Sequence, residues 1–159
     1  MKTSGSVRRA GWAGAPLRDK IEGVLTPSQA KDLREYIGYR DFAEPLIAPL
    51  VSLLRERIPI ITEPPAYCRV ERRPEGHPWH HDTGPRGHMG WCRFTAGCVL
   101  TPQEMYTGGG FYFRDDPETA SHHYCDLVFY DDAVENEHTV ASHRGDRRVL
   151  LMFFRGPDD

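Results

Sequence analysis

The stretch HPWHHDTG, from His77 to Gly84, places three histidines and one aspartate within eight residues. Imidazole nitrogens and carboxylate oxygens are ligands of divalent transition metals. In an extended segment side chains alternate between faces, so His80 and Asp82 point one way and His81 the other. That makes H-x-D a two-ligand clip. A metal needs at least one more ligand, and His138, in EHTVAS, is the candidate. Two histidines and one carboxylate form the facial triad associated with non-haem Fe(II), which leaves other coordination positions open. Open positions imply catalysis rather than a structural role.

The same C-terminal segment supplies a cation. Along the run RRVLLMFF, alternation sets Arg147, Val149, Leu151 and Phe153 on one face, so a single guanidinium projects into an otherwise apolar interior. A buried arginine requires an anion, and its planar fork suits a carboxylate bidentately.

These residues must be carried by a fold that the rest of the chain specifies. With 159 residues the chain is long enough for one domain, residues 1–159, with a real core. Residues 1–16 lack periodicity and read as a flexible arm. LTPSQAKDLREYIG has Thr26 as N-cap and Pro27 at the first helical position, predicting a helix that ends near Gly38. Leu46, Leu50, Leu53 and Leu54 predict a second, amphipathic helix from about Pro45 to Ile58, so residues 24–60 form two buttressing helices. After Pro64-Pro65 the runs AYCRVER, WCRFTAGCVLT, GGFYFR, CDLVFYD, EHTVAS and RRVLLMFF, separated by glycine and proline clusters, predict a β core over 66–155.

Composition excludes several classes. A net charge of −3 gives no overall attraction to nucleic acid, and no nucleic-acid partner is expected. No apolar run is long enough for a membrane span or for a signal sequence after the basic start, which predicts a cytoplasmic protein. Cys68, Cys92, Cys98 and Cys125 lack C-x-x-C spacing and read as reduced thiols, with paired disulfides the alternative.

Taken in order, H-x-D (His80, Asp82), the glycine-rich YTGGGFYF (Tyr106 to Phe113), the distal His138 and the G-x-R of Gly145 and Arg147 resemble the Fe(II)/2-oxoglutarate-dependent oxygenases, within them the prolyl-4-hydroxylase-like group. The resemblance spans about Tyr67 to Phe154. It implies a mainly β fold with N-terminal helices packed outside a double-stranded β-helix (jelly-roll, cupin-like) core. It implies Fe(II) on His80, Asp82 and His138, with 2-oxoglutarate and O₂ as cosubstrates, Arg147 on the distal carboxylate, and ascorbate in a supporting role. Related halogenases carry Gly or Ala in place of the carboxylate, so Asp82 favours hydroxylation. The chain departs from the common pattern at Ser142-His143, where a proline-valine pair is frequent, at Val149, where a serine partner for the distal carboxylate is frequent, and at Arg73, where a tyrosine is frequent. Arg148 is the competing anchor if the register slips by one.

Other residues take blander readings. His81 is outward and structural, His77 and His88 lie in loops, His122 and His123 sit in a polar connection, and His143 has no role. Gly108 to Gly110 mark a turn or a close backbone approach and not a phosphate loop, since no G-K-[ST] follows. Trp79, Trp91, Phe94, Phe111 and Phe113 read as core, and Thr83 to Gly90 as a lid. Arg69, Arg72, Arg73, Arg86 and Arg93 pair with acidic neighbours or, alternatively, attract an acidic substrate.

The expected function is a 2-oxoglutarate-dependent dioxygenase hydroxylating an aliphatic carbon of a small molecule, an amino acid or related metabolite, with release of succinate and CO₂. The alternatives are a peptidyl (prolyl-type) hydroxylase and a non-catalytic cupin-like metal-binding or sensing module. A metal-dependent hydrolase or isomerase fits less well, because hydrolysis needs no buried cosubstrate anchor.

Overall fold

The computed structural model describes residues 16–82 and 89–156. The expected arm falls almost wholly outside them, as does most of the expected lid, with Arg86 and His88. The elements in chain order are β1 (Arg18–Ile21), α1 (Pro27–Leu33), β2 (Gly38–Tyr39), α2 (Ala48–Arg57), β3 (Tyr67–Glu71), β4 (His77–His80) and β5 (Cys92–Val99). They continue with β6 (Tyr106–Gly108), β7 (Phe111–Phe113), β8 (Asp116–Ser121), β9 (Leu127–Asp131), β10 (His138–Val140), β11 (His143–Gly145) and β12 (Val149–Arg155).

A six-stranded sheet has the order β1-β9-β5-β12-β3-β2, a four-stranded sheet the order β4-β10-β7-β8, and β11 pairs with β6. All of these ladders are antiparallel. This is the expected jelly-roll core with its helices ahead of it in the chain.

The period-2 rule divides the large sheet into two faces of different use. Ala96, Cys98, Leu127, Phe129, Leu150, Met152 and Phe154 join Leu33, Leu50, Leu54 and Ile58 from the helical segment in one buried cluster. Each such large apolar side chain stabilises the fold by about 1.5–3 kcal/mol relative to exposure. The intervening residues Gly97, Val99, Val128, Tyr130, Val149 and Leu151 face the opposite way and line a cleft. The helices therefore anchor the sheet from behind and leave its front free for chemistry.

The helix boundaries are shorter than the periodicity predicts. Thr26 and Gln29 form a reciprocal capping box at the start of α1, as the Thr-Pro signal implies. Its end comes at Leu33 rather than near Gly38, because the Leu33 carbonyl accepts from the Arg40 guanidinium at 2.7 Å and Gly38 already pairs with Val70 of β3. Similarly α2 begins at Ala48, since the Glu44 carbonyl closes a turn over Pro45 to Ile47 first. The strands β1, β2, β8 and β11 were not among the expected runs; they are short or polar, and pairing rather than composition makes them strands, whereas β4 falls on the extended His80 clip and the glycine-rich strand Tyr106 to Phe113 is broken into β6 and β7, which pair in different sheets. All four cysteines are buried and free, matching the reduced-thiol reading. No helix among the described residues is long and apolar enough to cross a membrane.

Candidate metal centre and the adjoining cleft

His80 ends β4 and His138 begins β10, and the two are direct cross-strand partners. The ladder carries a bulge: His138 faces His80, but Val140 faces His77, so β4 has one residue more than β10 over this span. Bulges re-aim side chains beside functional sites. Pro78 sits within this one, where its missing N–H costs no ladder bond. Its carbonyl accepts from His80 Nδ1 at 2.7 Å.

One donor atom from each of His80, Asp82 and His138 lies within 4.8 Å of the others. Asp82 Oδ1 is 3.2 Å from His80 Nε2 and 3.5 Å from His138 Nε2. His138 Nδ1 donates to the Asn136 carbonyl at 2.8 Å. A carbonyl can only accept, so both Nδ1 atoms carry protons, and in the neutral rings both Nε2 atoms present lone pairs toward Asp82. With both rings neutral, two lone pairs and a carboxylate oxygen converge on one point, an arrangement that a shared cation, proton or metal, stabilises. The donor set therefore fits a divalent transition metal.

The carboxylate is fixed from behind. Its Oδ2 accepts from the hydroxyls of Thr95 and Tyr130, each at 2.9 Å, which turns Oδ1 toward the imidazoles. Burial opposes the Asp82 charge, but His138 and His80 overcome it and hold the carboxyl well below its usual range. Burial likewise works against a charged His138, and neighbouring Asp82 more than offsets it, so its pKa rises. Burial and then Asp82 push the Tyr130 phenol well above its ordinary value, keeping it a donor. Asn136, 2% exposed, is pinned by donating to the Leu17 carbonyl and Asp131 Oδ1, both at 2.9 Å, and by accepting from Arg18 Nε at 3.0 Å. That bracing sets the carbonyl which orients His138.

Arg147 lies where the strand alternation puts it, in the cleft with Val149 and Leu151. Only 8% exposed, it has its Nε buried without a partner, and its guanidinium lies 5.8 Å from the Tyr106 ring centre. The competitor Arg148 is engaged elsewhere, with Asp146 and the Arg34 carbonyl. Close passage of Gly109 makes room for Arg147: with φ at +73°, a Cβ there would lie 2.6 Å from Arg147 Cδ. The cleft is open to solvent and encloses about 420 Å³ of space between its walls, that solvent included. Phe111 and Tyr130 connect it to the triad. Both line the cleft, Phe111 stacks on His138 at 5.0 Å, and the Tyr130 hydroxyl is 3.3 Å from His138 Nε2.

Several blander readings change. His77 is not in a loop; it opens β4 and its ring packs at a tilt against His80, with ring centres 3.6 Å apart. Phe111 is cleft wall, whereas Trp79 and Trp91 are half-buried under Arg114 and Arg155. Phe94 is core, as expected. His81 turns away from the triad to the Val134 carbonyl at 3.0 Å. Arg69, Arg72, Arg73 and Arg93 take the paired reading, with Glu71, Asp146, Glu71 and Asp132 respectively. Thr95, Tyr130 and Asn136 were missed as supports of the triad, and Tyr106 and His122 as neighbours of Arg147. The available signal was a hydroxyl at Thr95 and Tyr130 inside otherwise apolar strand runs.

No protein-family model and no curated protein matches the sequence. Solved structures do match in fold. A viral collagen prolyl hydroxylase from Paramecium Bursaria Chlorella virus-1, in a 2OG complex, superposes with a TM-score of 0.66 at 18% identity, covering 87% of this chain and 95% of that one. A Pseudomonas putida prolyl-4-hydroxylase gives 0.64 at 14% identity, covering 87% and 92%. A Trichoplax adhaerens prolyl hydroxylase, in complex with a hypoxia inducible factor oxygen degradation domain peptide, gives 0.63 at 14%, covering 89% and 84%. The chain has the double-stranded β-helix fold of the prolyl hydroxylases.

Proposed function

We propose that this chain is an Fe(II)/2-oxoglutarate-dependent hydroxylase of the prolyl type, acting on a peptide. The observation that carries the reading is the pairing of two adjoining sites that share Tyr130 as a wall: a triad whose Nε2 atoms and Oδ1 converge, and, in the neighbouring cleft, a buried Arg147 with an unpartnered Nε. The first suits a divalent metal and the second an anion. A metal-dependent hydrolase would use only the first.

In this reading His80, Asp82 and His138 hold the iron, and Arg147 binds the distal carboxylate of 2-oxoglutarate. When bound, iron, 2-oxoglutarate and O₂ supply the oxidising power that yields succinate and CO₂ and places one oxygen atom in a substrate C–H bond. The chain's own contribution is positioning. Thr95 and Tyr130 orient the carboxylate, Pro78 and Asn136 orient the imidazoles, and Val99, Val128, Val149 and Leu151 give the cleft an apolar wall.

For the substrate, the peptidyl alternative gains support over the free small molecule expected from the sequence. The fold neighbours are named for prolyl hydroxylation, and one is in complex with a peptide. The test is succinate production by Fe(II)-loaded protein with 2-oxoglutarate, O₂ and ascorbate, offered proline-containing peptides or free amino acids. Peptide-dependent succinate with one oxygen added to the peptide, lost in His80→Ala and Arg147→Ala, is the expected result. Stimulation by a free amino acid alone would restore the small-molecule reading.

A further inference from the structure

Arg147 is not the only polar group at its end of the cleft. His122, from the connection between β8 and β9, lines the same wall, and its Nδ1 is 3.3 Å from the Tyr106 hydroxyl. Tyr106 is 7% exposed and also the aromatic neighbour of Arg147. Guanidinium and imidazole thus both line the cleft, and the buried Tyr106 behind them contacts each. Elsewhere in the lining, Val99, Val149 and Leu151 offer nothing to a carboxylate, and the Tyr130 hydroxyl is already donated to Asp82. A carboxylate has two oxygens and about four acceptor sites, more than one guanidinium edge satisfies.

We propose that His122 is a second anchor for the distal carboxylate of the 2-oxo acid, and that it makes cosubstrate binding proton-coupled. The inference rests on the oxygenase reading above. Tyr106 holds the imidazole through Nδ1, leaving Nε2 for the ligand. Before the ligand arrives, burial and then the Arg147 charge depress the pKa of His122. An arriving carboxylate neutralises Arg147 and supplies an acceptor, so the pKa rises in the complex. A group whose pKa rises on binding takes up a proton from solvent, and affinity falls as pH increases through the window between the free and bound values.

Arg147 from the approach to β12, Ser121 at the end of β8 and His123 from the connection also line this cleft, while Tyr106 from β6 and His143 from β11 lie behind the lining. Lys20 and Asp126 act on His123. His143 is the competing source of any pH dependence, since its pKa is also lowered by burial and by Arg147. It does not line the cleft.

The test is calorimetric binding of 2-oxoglutarate to the Mn²⁺-loaded full chain without O₂, at about pH 6 and about pH 8. 2-Oxobutanoate, which lacks the distal carboxylate, is the comparison ligand. His122→Phe should weaken 2-oxoglutarate binding by about tenfold or more, the worth of a hydrogen bond to a charged group, and leave 2-oxobutanoate unchanged. His122→Gln keeps a donor; it should restore affinity near pH 8 and lose the gain at low pH. Wild-type affinity in both variants, or a pH dependence that survives in His122→Gln, overturns the proposal. Failure of the wild-type protein to bind either 2-oxo acid would instead overturn the oxygenase reading on which it rests.

Discussion

Tyr130→Phe removes one oxygen atom from a residue outside the triad, and so probes whether the triad depends on its supports. The Tyr130 hydroxyl donates to Asp82 Oδ2 at 2.9 Å, and Thr95 Oγ1 donates to the same atom at the same distance. Asp82 is only 11% exposed, so water does not readily replace either donor. A hydrogen bond to a charged acceptor contributes about 1.5–3 kcal/mol. Tyr130→Phe and Thr95→Val should each destabilise the metal-free protein by about that amount. Together they should cost more than the sum, because a buried carboxylate oxygen then has no donor at all.

The functional consequence follows from rotation. With Oδ2 held by only one donor, the carboxylate turns about Cβ–Cγ and Oδ1 no longer sits between the two Nε2 atoms. Loss of groups that orient metal ligands lowers metal affinity by about 10–100-fold. The assay is Mn²⁺ titration followed by electron paramagnetic resonance, beside urea unfolding of the metal-free variants. Tyr67→Phe is the control, since its hydroxyl donates to Glu71 on another part of the large sheet; it should cost stability and leave metal affinity alone. Wild-type Mn²⁺ affinity in both Tyr130→Phe and Thr95→Val would refute the idea that these hydroxyls position a metal ligand.

Gly109→Ala should cost about 1–2 kcal/mol from the left-handed backbone alone and more from the 2.6 Å approach to Arg147 Cδ, with 2-oxoglutarate binding weakened in calorimetry. Gly23→Ala, at φ +62° with nothing within 4 Å, should show the backbone cost only. Met152→Ala should lower stability by about 2–5 kcal/mol in urea unfolding, because Met152 is 0% exposed within the helix-backed cluster. Thr26→Ala should cost about 1 kcal/mol in the same assay through loss of the capping box of α1.

The triad and Arg147 were legible in the sequence because each depends on a local period. His80 and Asp82 lie two residues apart in an extended run, and Arg147 shares a strand face with Val149 and Leu151. The six apolar runs were legible for the same reason. Tyr130, Thr95, Asn136 and His122 were not, since what gives them meaning is a partner far away in the chain. Thr95 and Tyr130 are cross-strand neighbours of β5 and β9, and only that register brings both hydroxyls to Asp82. The polar strand β8, exposed along most of its length, shows no alternation to read, yet it leads directly into His122.

Register also explains why the triad tolerates no slip. His138 faces His80 on one side and Phe113 on the other, so β10 is fixed by both neighbours in the small sheet. Moving β10 by one residue would send His138 to the opposite face and bring Thr139 toward Asp82. Thr139 resists that move by donating to the His77 carbonyl at 2.6 Å, within the bulge that Pro78 makes possible. The bulge thus does two things at once: it lets Pro78 turn a carbonyl onto His80, and it gives Thr139 the acceptor that locks the strand carrying His138. The two histidines of the triad are separated by most of the β core in sequence, but a single irregular pair of short strands sets the positions of both.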